Sequence, residues 1–390
     1  MTGLRMGVVG GSIAGCAMAI AGTRAGAEVT VYERSGGALQ DRGLGVVVPP
    51  ALHTRLVALG YLDASMPTAP VGTHVWLARP RGLRSTREIA RQPSPVTPCN
   101  WGLLWQSLRA NTGGTHHHRG RPVTSVGRTP AGGGLIRTAD GEEGYDIVVG
   151  ADGHRSLTRQ SLAPGLEPTA AGYAVWRGTI PMSALTGHRR PLELLREAWV
   201  TLGFPGGHGI FYLIPAGAGA DPGERLLAYA VYASPPARDG QRDPAPYVRE
   251  IADEHFPDEW ADIVARGAHA SLVCHPVTDL HAPRAADPPF LLAGDAAGIT
   301  RPHTASGAVK ALEDALCLEE ALRGSTSPQE ALLRYEAERT PEGARLVELG
   351  RRLGAAQVER APDWGAMGQN EVDGWFRAAL AGTPSYLYEG

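Results

Sequence analysis

Apolar positions along this chain follow two rhythms, unbroken short runs and runs spaced by three or four. Met6–Gly10 is an unbroken run and predicts a buried strand, followed through Gly10-Gly11-Ser12-Ile13-Ala14-Gly15 by an Ala-rich helix. Glu28-Val29-Thr30-Val31-Tyr32 predicts the next strand, ending in Glu33-Arg34, and a loop is expected around Gln40–Pro50. Trp101, Leu104, Trp105 and Leu108 share one helical face, so Trp101–Ala110 is expected to be a helix. Leu135–Ala139, the Asp140-Gly141 turn and Tyr145–Val149 read as a hairpin that leads into the loop at Asp152. From about Tyr173 to Cys274 the texture is β-rich, with Ile210–Ile214 and Leu226–Tyr232 as short strands. Phe290–Ala293 is again a buried strand, Gly307–Leu322 a helix with Lys310 and Asp314 on a solvated face, and Pro328–Gln357 strongly helical.

The β-rich stretch interrupts an α/β pattern, so the organisation is interleaved. One domain is expected from 1–72, 97–170 and 275–325, a second from 73–96 and 171–274, and a helical region from 326–390. A chain of 390 residues can bury two such cores. The net charge of -3 and an aromatic fraction of 6% leave no basic footprint for nucleic acid. Of 37 basic residues only Lys310 is a lysine, a bias of the kind GC-rich coding produces. The N-terminal apolar run is broken by Gly, Ser and Cys and predicts neither a signal peptide nor a membrane span. The expected compartment is the cytoplasm. Cys16, Cys99, Cys274 and Cys317 are scattered and suggest neither a disulfide framework nor a zinc site. His116-His117-His118 cannot converge on one ion as consecutive residues, and no metal is expected.

Three distant stretches carry the chemistry. The Gly10–Gly15 turn lets backbone approach a pyrophosphate, whose charge the N–H groups and dipole of the following helix can hold. Ser12 stands where G-x-G-x-x-G has its second glycine, and contributes a hydroxyl. Glu33 lies about 20 residues further on, where a carboxylate grips ribose hydroxyls. The second stretch is Asp146–Ser156, containing Asp152-Gly153-His154-Arg155; the third is Phe290–Ala297, containing Gly294-Asp295. Together they point to a site for one flavin nucleotide, FAD.

With these motifs the chain resembles the single-component, group A FAD monooxygenases of the aromatic hydroxylase type, and within them the dihydroxypyridine hydroxylase-like branch. The resemblance rests on Val8–Ile13, Asp152-Gly153, Gly172-Tyr173-Ala174-Val175-Trp176-Arg177-Gly178, and Gly294-Asp295 running on to Arg301-Pro302-His303-Thr304-Ala305-Ser306-Gly307. It implies an α/β fold: a Rossmann-like, three-layer ββα FAD-binding domain, an inserted, mainly antiparallel substrate sheet, and C-terminal helices. It also implies NADPH or NADH as transient reductant and a flavin hydroperoxide that oxygenates an electron-rich aromatic or heteroaromatic small molecule, with dioxygen as co-substrate. Epoxidation or Baeyer–Villiger chemistry in natural-product pathways, and a redox-silent FAD-containing cyclase, are the alternatives. The helical tail is a candidate homodimer surface.

Carried over residue by residue, the resemblance assigns FAD contacts to Gly10, Gly11, Ser12, Ile13, Ala14, Gly15, Glu33, Arg34, Arg42, Gly45, Trp101, Asp152, Gly294, Asp295, Pro302, Ala305, Ser306 and Gly307. Asp295 would accept from a ribityl hydroxyl, and the helix starting at Gly307 would face the flavin pyrimidine edge. Arg155 and Arg159 are candidate partners of Asp152 and pyrophosphate. Arg42, Pro302 and His303 are the expected catalytic set, His303 as a base or, equally, as loop packing. Trp176, His208, Tyr212, Tyr232 and His303 are the expected substrate residues. Departures are Gly298 and Ala305, where many relatives carry His and Gly, and Trp101, where the wider group often has an Arg.

Overall fold

The computed structural model describes residues 3–37, 39, 44–221, 223–234, 245–270 and 272–381. Arg42 lies outside them. The apolar run at the N-terminus forms the strand Arg5–Val9, fully buried after Arg5, and the Ala-rich segment forms the helix Ile13–Arg24. Arg5–Val9 is central in a six-stranded sheet ordered Ala286–Asp287, Phe290–Leu292, Ile147–Gly150, Arg5–Val9, Glu28–Glu33, His116–Arg119. Its pairings are parallel except that of the short outer strand Ala286–Asp287. Helix Ile13–Arg24 packs beside helix Ser306–Arg323, and their shared core includes Met18, Leu312, Leu316 and Tyr335. The three histidines form the outer strand on Glu28–Glu33, their backbones pairing with Thr30, Val31 and Tyr32.

The hairpin expected at Leu135–Val149 is divided differently. Gly134–Thr138 turns at Asp140 into Gly141–Tyr145, and with Ser125–Arg128 these form a separate three-stranded sheet. At Asp146 the chain changes sheets, because its backbone N–H donates to Arg5 O and its carboxylate accepts from Arg5 N. Ile147–Gly150 then runs parallel to Arg5–Val9. An apolar run cannot by itself tell which of two sheets each half joins.

The β-rich stretch builds most of a nine-stranded sheet: Gly298–Ile299, Leu272–His281, Thr169–Pro181, Arg225–Ala233, Gly207–Pro215, Ala198–Phe204, Val71–Ala78, Arg87–Asn100, Gly45–Val48. All neighbours are antiparallel except Ala198–Phe204 with Val71–Ala78. One face is sealed by the helices Arg189–Glu197, Ala245–His255 and Asp258–Ala270 over a core that includes Leu202, Phe211, Tyr229 and Trp260. The opposite face carries Tyr173, Ile210, Tyr212 and Tyr232. Gly45–Val48, within the expected loop, is an edge strand of this sheet. The tail helix Pro328–Gly354 packs on Ser306–Arg323 and reaches the sheet through Ala355–Glu359. Among the described residues, no helix is long and apolar enough to cross a membrane.

Candidate flavin and substrate site

At the end of the first strand only glycine fits in two places. Gly10 has φ 103°, and a Cβ on it would lie 2.3 Å from Ala151 O. A Cβ on Gly15 would lie 1.8 Å from Gly10 O. Ser12 occupies the N-cap position but its hydroxyl makes no capping bond. The first intrahelical bond is Cys16 N–H to Ser12 O, so the N–H groups of Ile13, Ala14 and Gly15 have no acceptor within the helix. Glu33 reaches this turn: its Oε2 accepts from Gly11 N at 2.8 Å and its Oε1 from Ser35 N at 2.7 Å. Arg34 is exposed beside it. Trp105, not among the expected contacts, donates from Nε1 to Gly11 O at 2.9 Å. Trp101 begins its helix under an Asn100 cap, donates its backbone N–H to Leu44 O, and packs partly on the core.

The Gly294-Asp295 turn meets the first one directly, since a Cβ on Gly294 would lie 3.0 Å from Ala14 Cβ. Here the expectation of a solvated helix face is corrected. Lys310 and Asp314 are 5% and 4% exposed. Asp314 Oδ2 accepts from Gly294 N at 2.8 Å, and its Oδ1 accepts from buried Arg339 Nε at 2.7 Å. Lys310 Nζ donates to Asp295 Oδ1 at 2.9 Å and to Gly298 O. The residue spacing placed this helix correctly but hid its polar inner face, because both side chains turn under the turn they support. Arg159 is likewise buried, donating to the carbonyls of Asp295, Ala296 and His154. It staples the turn to the Asp152 loop. Ser156 caps the helix Leu157–Leu162, and Asp152 supports that start by accepting from Ser156 Oγ, Thr158 N and Thr158 Oγ1, while Arg155 is exposed.

The chain next makes a tight turn at Pro302–Thr304 and enters Ser306–Arg323 through Ala305, at φ 49°. A left-handed alanine costs about 1–2 kcal/mol. Ser306 Oγ is tied to the Thr300 and Thr304 hydroxyls, and the whole residue is buried. Gly307 is exposed, and a Cβ there would meet nothing within 4 Å. His303 points away from that opening toward the large sheet. Its Nδ1 lies 3.0 Å from Gln357 Oε1 and its Nε2 2.6 Å from Tyr173 OH. With Oε1 as acceptor, Nδ1 carries the hydrogen and Nε2 accepts from the tyrosine. Burial holds the His303 pKa well below its ordinary value, with nearby His208 and Arg301 acting in the same direction.

The face of the sheet turned to this turn gathers most of the expected substrate residues. His208 stacks on Tyr232 at 4.6 Å and lies 5.2 Å from His303, and Tyr232 is 4.7 Å from His303. Burial pushes the His208 pKa down to about 3. Tyr212 packs with Trp199, Val96, Ile210, Val47 and Ala305. Gly45 is held by Arg177, which donates to its carbonyl at 3.0 Å, and a Cβ on Gly45 would meet Tyr212 OH at 2.5 Å. His74 stacks on Trp199 at 3.4 Å and shares a 2.9 Å bond with Thr201 Oγ1. Trp176 is the exception. Strand alternation sends it to the helix-covered face, where it contacts Tyr247. It is corrected from a pocket residue to a packing residue.

Sequence pattern alone does not assign Tyr173, Trp105, Arg177, His74, Lys310 or Gln357 to this region. Tyr173 and Arg177 lie inside the quoted Gly172–Gly178 segment, and Lys310 was marked by being the sole lysine. Nothing in the sequence pattern marks Gln357. The polar features of this region suit FAD: helix-end N–H groups without an acceptor in the helix, a Ser12 hydroxyl that makes no capping bond, a carboxylate beside them, and open space at Gly307.

Comparisons with known proteins agree. The family model described as "FAD binding domain" matches residues 4–349. The chain is 27% identical to the 2,6-dihydroxypyridine 3-monooxygenase of Paenarthrobacter nicotinovorans, covering 87% of this chain and 88% of that protein. It is 31% identical to a 3-amino-4-hydroxybenzoate 2-monooxygenase of Streptomyces platensis, covering 89% and 86%. Its fold is similar to the solved structure of 2,6-dihydroxypyridine-3-hydroxylase from Arthrobacter nicotinovorans, with a TM-score of 0.80 at 25% identity, covering 94% of this chain and 97% of that one.

Proposed function

The chain belongs to the FAD binding domain family and is an FAD-dependent monooxygenase; we propose that it hydroxylates a small, electron-rich aromatic or heteroaromatic ring, with NADPH or NADH as reductant. The observation that carries this reading is the meeting of two nucleotide-type turns, Gly10–Gly15 and Gly294-Asp295, beside a sheet face built of Tyr, Trp and His. When bound, the flavin supplies the hydride acceptance and the delivery of one oxygen atom; the protein supplies orientation, water exclusion and proton placement.

In this reading the N–H groups of Ile13, Ala14 and Gly15 and the Ser12 hydroxyl hold the pyrophosphate, where the helix dipole favours negative charge. Glu33 accepts from the adenosine ribose through the lone pairs its backbone partners leave free. Asp295 accepts from the ribityl chain with Oδ2, since Oδ1 is held by Lys310. The N-terminus of Ser306–Arg323 would favour negative charge on the flavin, and Pro302 in the turn before it would line that end of the site. Tyr212, Trp199, Val96 and Ile210 would pack against the substrate and exclude water, with the buried His208–Tyr232 stack adjoining them. His303 holds the Tyr173 proton at Nε2 and so orients that phenol; it acts on the substrate through Tyr173 and not as a free base. Arg42 and the exposed Arg34 are assigned to the cofactor mouth on the resemblance alone.

The test is to saturate the purified protein with FAD and follow NADPH and NADH oxidation with hydroxylated pyridines, phenols and aminohydroxybenzoates. Oxidation accelerated by one class, with a hydroxylated product, is the expected result. Reduction that no aromatic compound stimulates would refute it.

A further inference from the structure

The one lysine in 390 residues is in an improbable place for a surface charge. Thirty-six other basic residues are arginine, so the chain keeps lysine only at position 310. There the side chain is 6% exposed, between the Asp295 carboxylate and the Gly298 carbonyl. An ammonium is a compact point donor that suits two acceptors in a closed space, whereas a guanidinium is a wider planar fork. Asp295 is its opposite in exposure: its side chain is 48% exposed and its Oδ2 has no partner among the described residues. A carboxylate offered to a ligand that itself carries a diphosphate repels that ligand unless its charge is balanced nearby. The Gly298 carbonyl bond adds a second consequence. It ties the Gly294–Ala296 turn to the Gly298–Ile299 strand, so the same ammonium fixes both the charge and the position of Asp295.

We propose that Lys310 is a cofactor-positioning residue: it balances and aims the Asp295 carboxylate so that its free oxygen meets the ribityl chain of FAD. This rests on the FAD reading above. Lys310 acts through Asp295, and the two therefore form one energetic unit toward FAD. Arginine cannot replace it, which is why this position escapes the arginine bias of the chain.

The experiment is a titration of FAD into the cofactor-depleted full chain by flavin fluorescence quenching, for wild type, K310M, K310R, D295N and the double variant D295N/K310M. Losing a hydrogen bond to a charged group weakens binding by about tenfold or more. K310M, K310R and D295N should each show such a loss, and the double variant should bind no worse than the weaker single. K310M with wild-type affinity, or losses that add fully in the double variant, would overturn the proposal. A purely structural lysine would lower the melting temperature without that coupling. Should K310M fail to fold, the wild-type chain labelled with 15N-lysine carries a single side-chain ammonium signal. That signal should shift as FAD saturates the protein, and one that stays fixed would overturn the proposal. A wild-type chain that takes up no FAD would instead overturn the functional reading beneath it.

Discussion

Replacing Asp314 with alanine should be one of the costliest single changes in this protein. Its carboxylate is buried under the Gly294 turn, accepting from Gly294 N at 2.8 Å and from Arg339 Nε at 2.7 Å, with the two side chains 6% and 8% exposed. Truncation leaves the guanidinium of Arg339 buried and removes the acceptor from the Gly294 amide. Breaking a buried ion pair from one side costs about 3–5 kcal/mol. Arg339 also lies 3.7 Å from the Glu313 carboxylate, to which it can lean, so the lower half of that range, about 3–4 kcal/mol, is expected. Equilibrium urea unfolding of the FAD-saturated D314A, R339A and D314A/R339A proteins measures it. The double variant should cost clearly less than the sum of the singles, because removing both partners leaves no orphaned charge. A D314A loss under about 1 kcal/mol, or fully additive singles, would refute the buried-support role of this pair.

Three further outcomes follow from the same geometry. Y173F removes the donor to His303 Nε2 and should lower stability by about 1–3 kcal/mol; an unchanged melting temperature would show that the imidazole is not held there. His74, His208 and His303 all have pKa values below the ordinary 6.5 because they are buried. The unfolded chain therefore binds more protons, so stability is complete above about pH 7 and falls as the pH drops below 6.5, by up to about 1.4 kcal/mol per pH unit for each residue. Urea midpoints between pH 7.5 and 5 should show that acid limb, and H208F should make it shallower; an identical slope would contradict the burial of His208. W105F loses the bond to Gly11 O and should weaken FAD binding about two- to tenfold, with equal affinity in a fluorescence titration counting against a role for the indole in the first turn.

What the sequence made legible was whatever follows from local pattern. The strands at Arg5–Val9 and Phe290–Leu292 are largely apolar runs and that at Glu28–Glu33 is centred on β-branched residues, while the helices at 101–110, 306–323 and 328–354 carry their spacing openly. The glycine turn was legible because Gly10 and Gly15 answer steric demands that no other residue meets. Tertiary choices were not legible. The break at Asp146 depends on a bond to Arg5, 141 positions away. The helices Arg189–Glu197, Ala245–His255 and Asp258–Ala270 sit inside a stretch whose strands dominate its composition. Polar residues misled most: Lys310 and Asp314 have the spacing of a wet face, yet they turn inward because the Gly294 turn has an amide and a carboxylate to satisfy. Trp176 misled in the other direction, since the resemblance marks its segment but not which face of Thr169–Pro181 the indole takes. The placing of Tyr173, His303 and Gln357 in one hydrogen-bonded row joins a strand, a turn and the tail, and no local signal encodes it.

The central claim, that this cleft uses FAD to place one atom of dioxygen on an aromatic ring, is tested most directly by isotope. The FAD-saturated enzyme would be turned over with NADPH under 18O2 in the presence of the aromatic compound that most accelerates its oxidation, and the product weighed by mass spectrometry. A hydroxylated product heavier by one 18O atom is expected. A product carrying no 18O, or NADPH consumption that yields only hydrogen peroxide with every compound tried, would contradict the account.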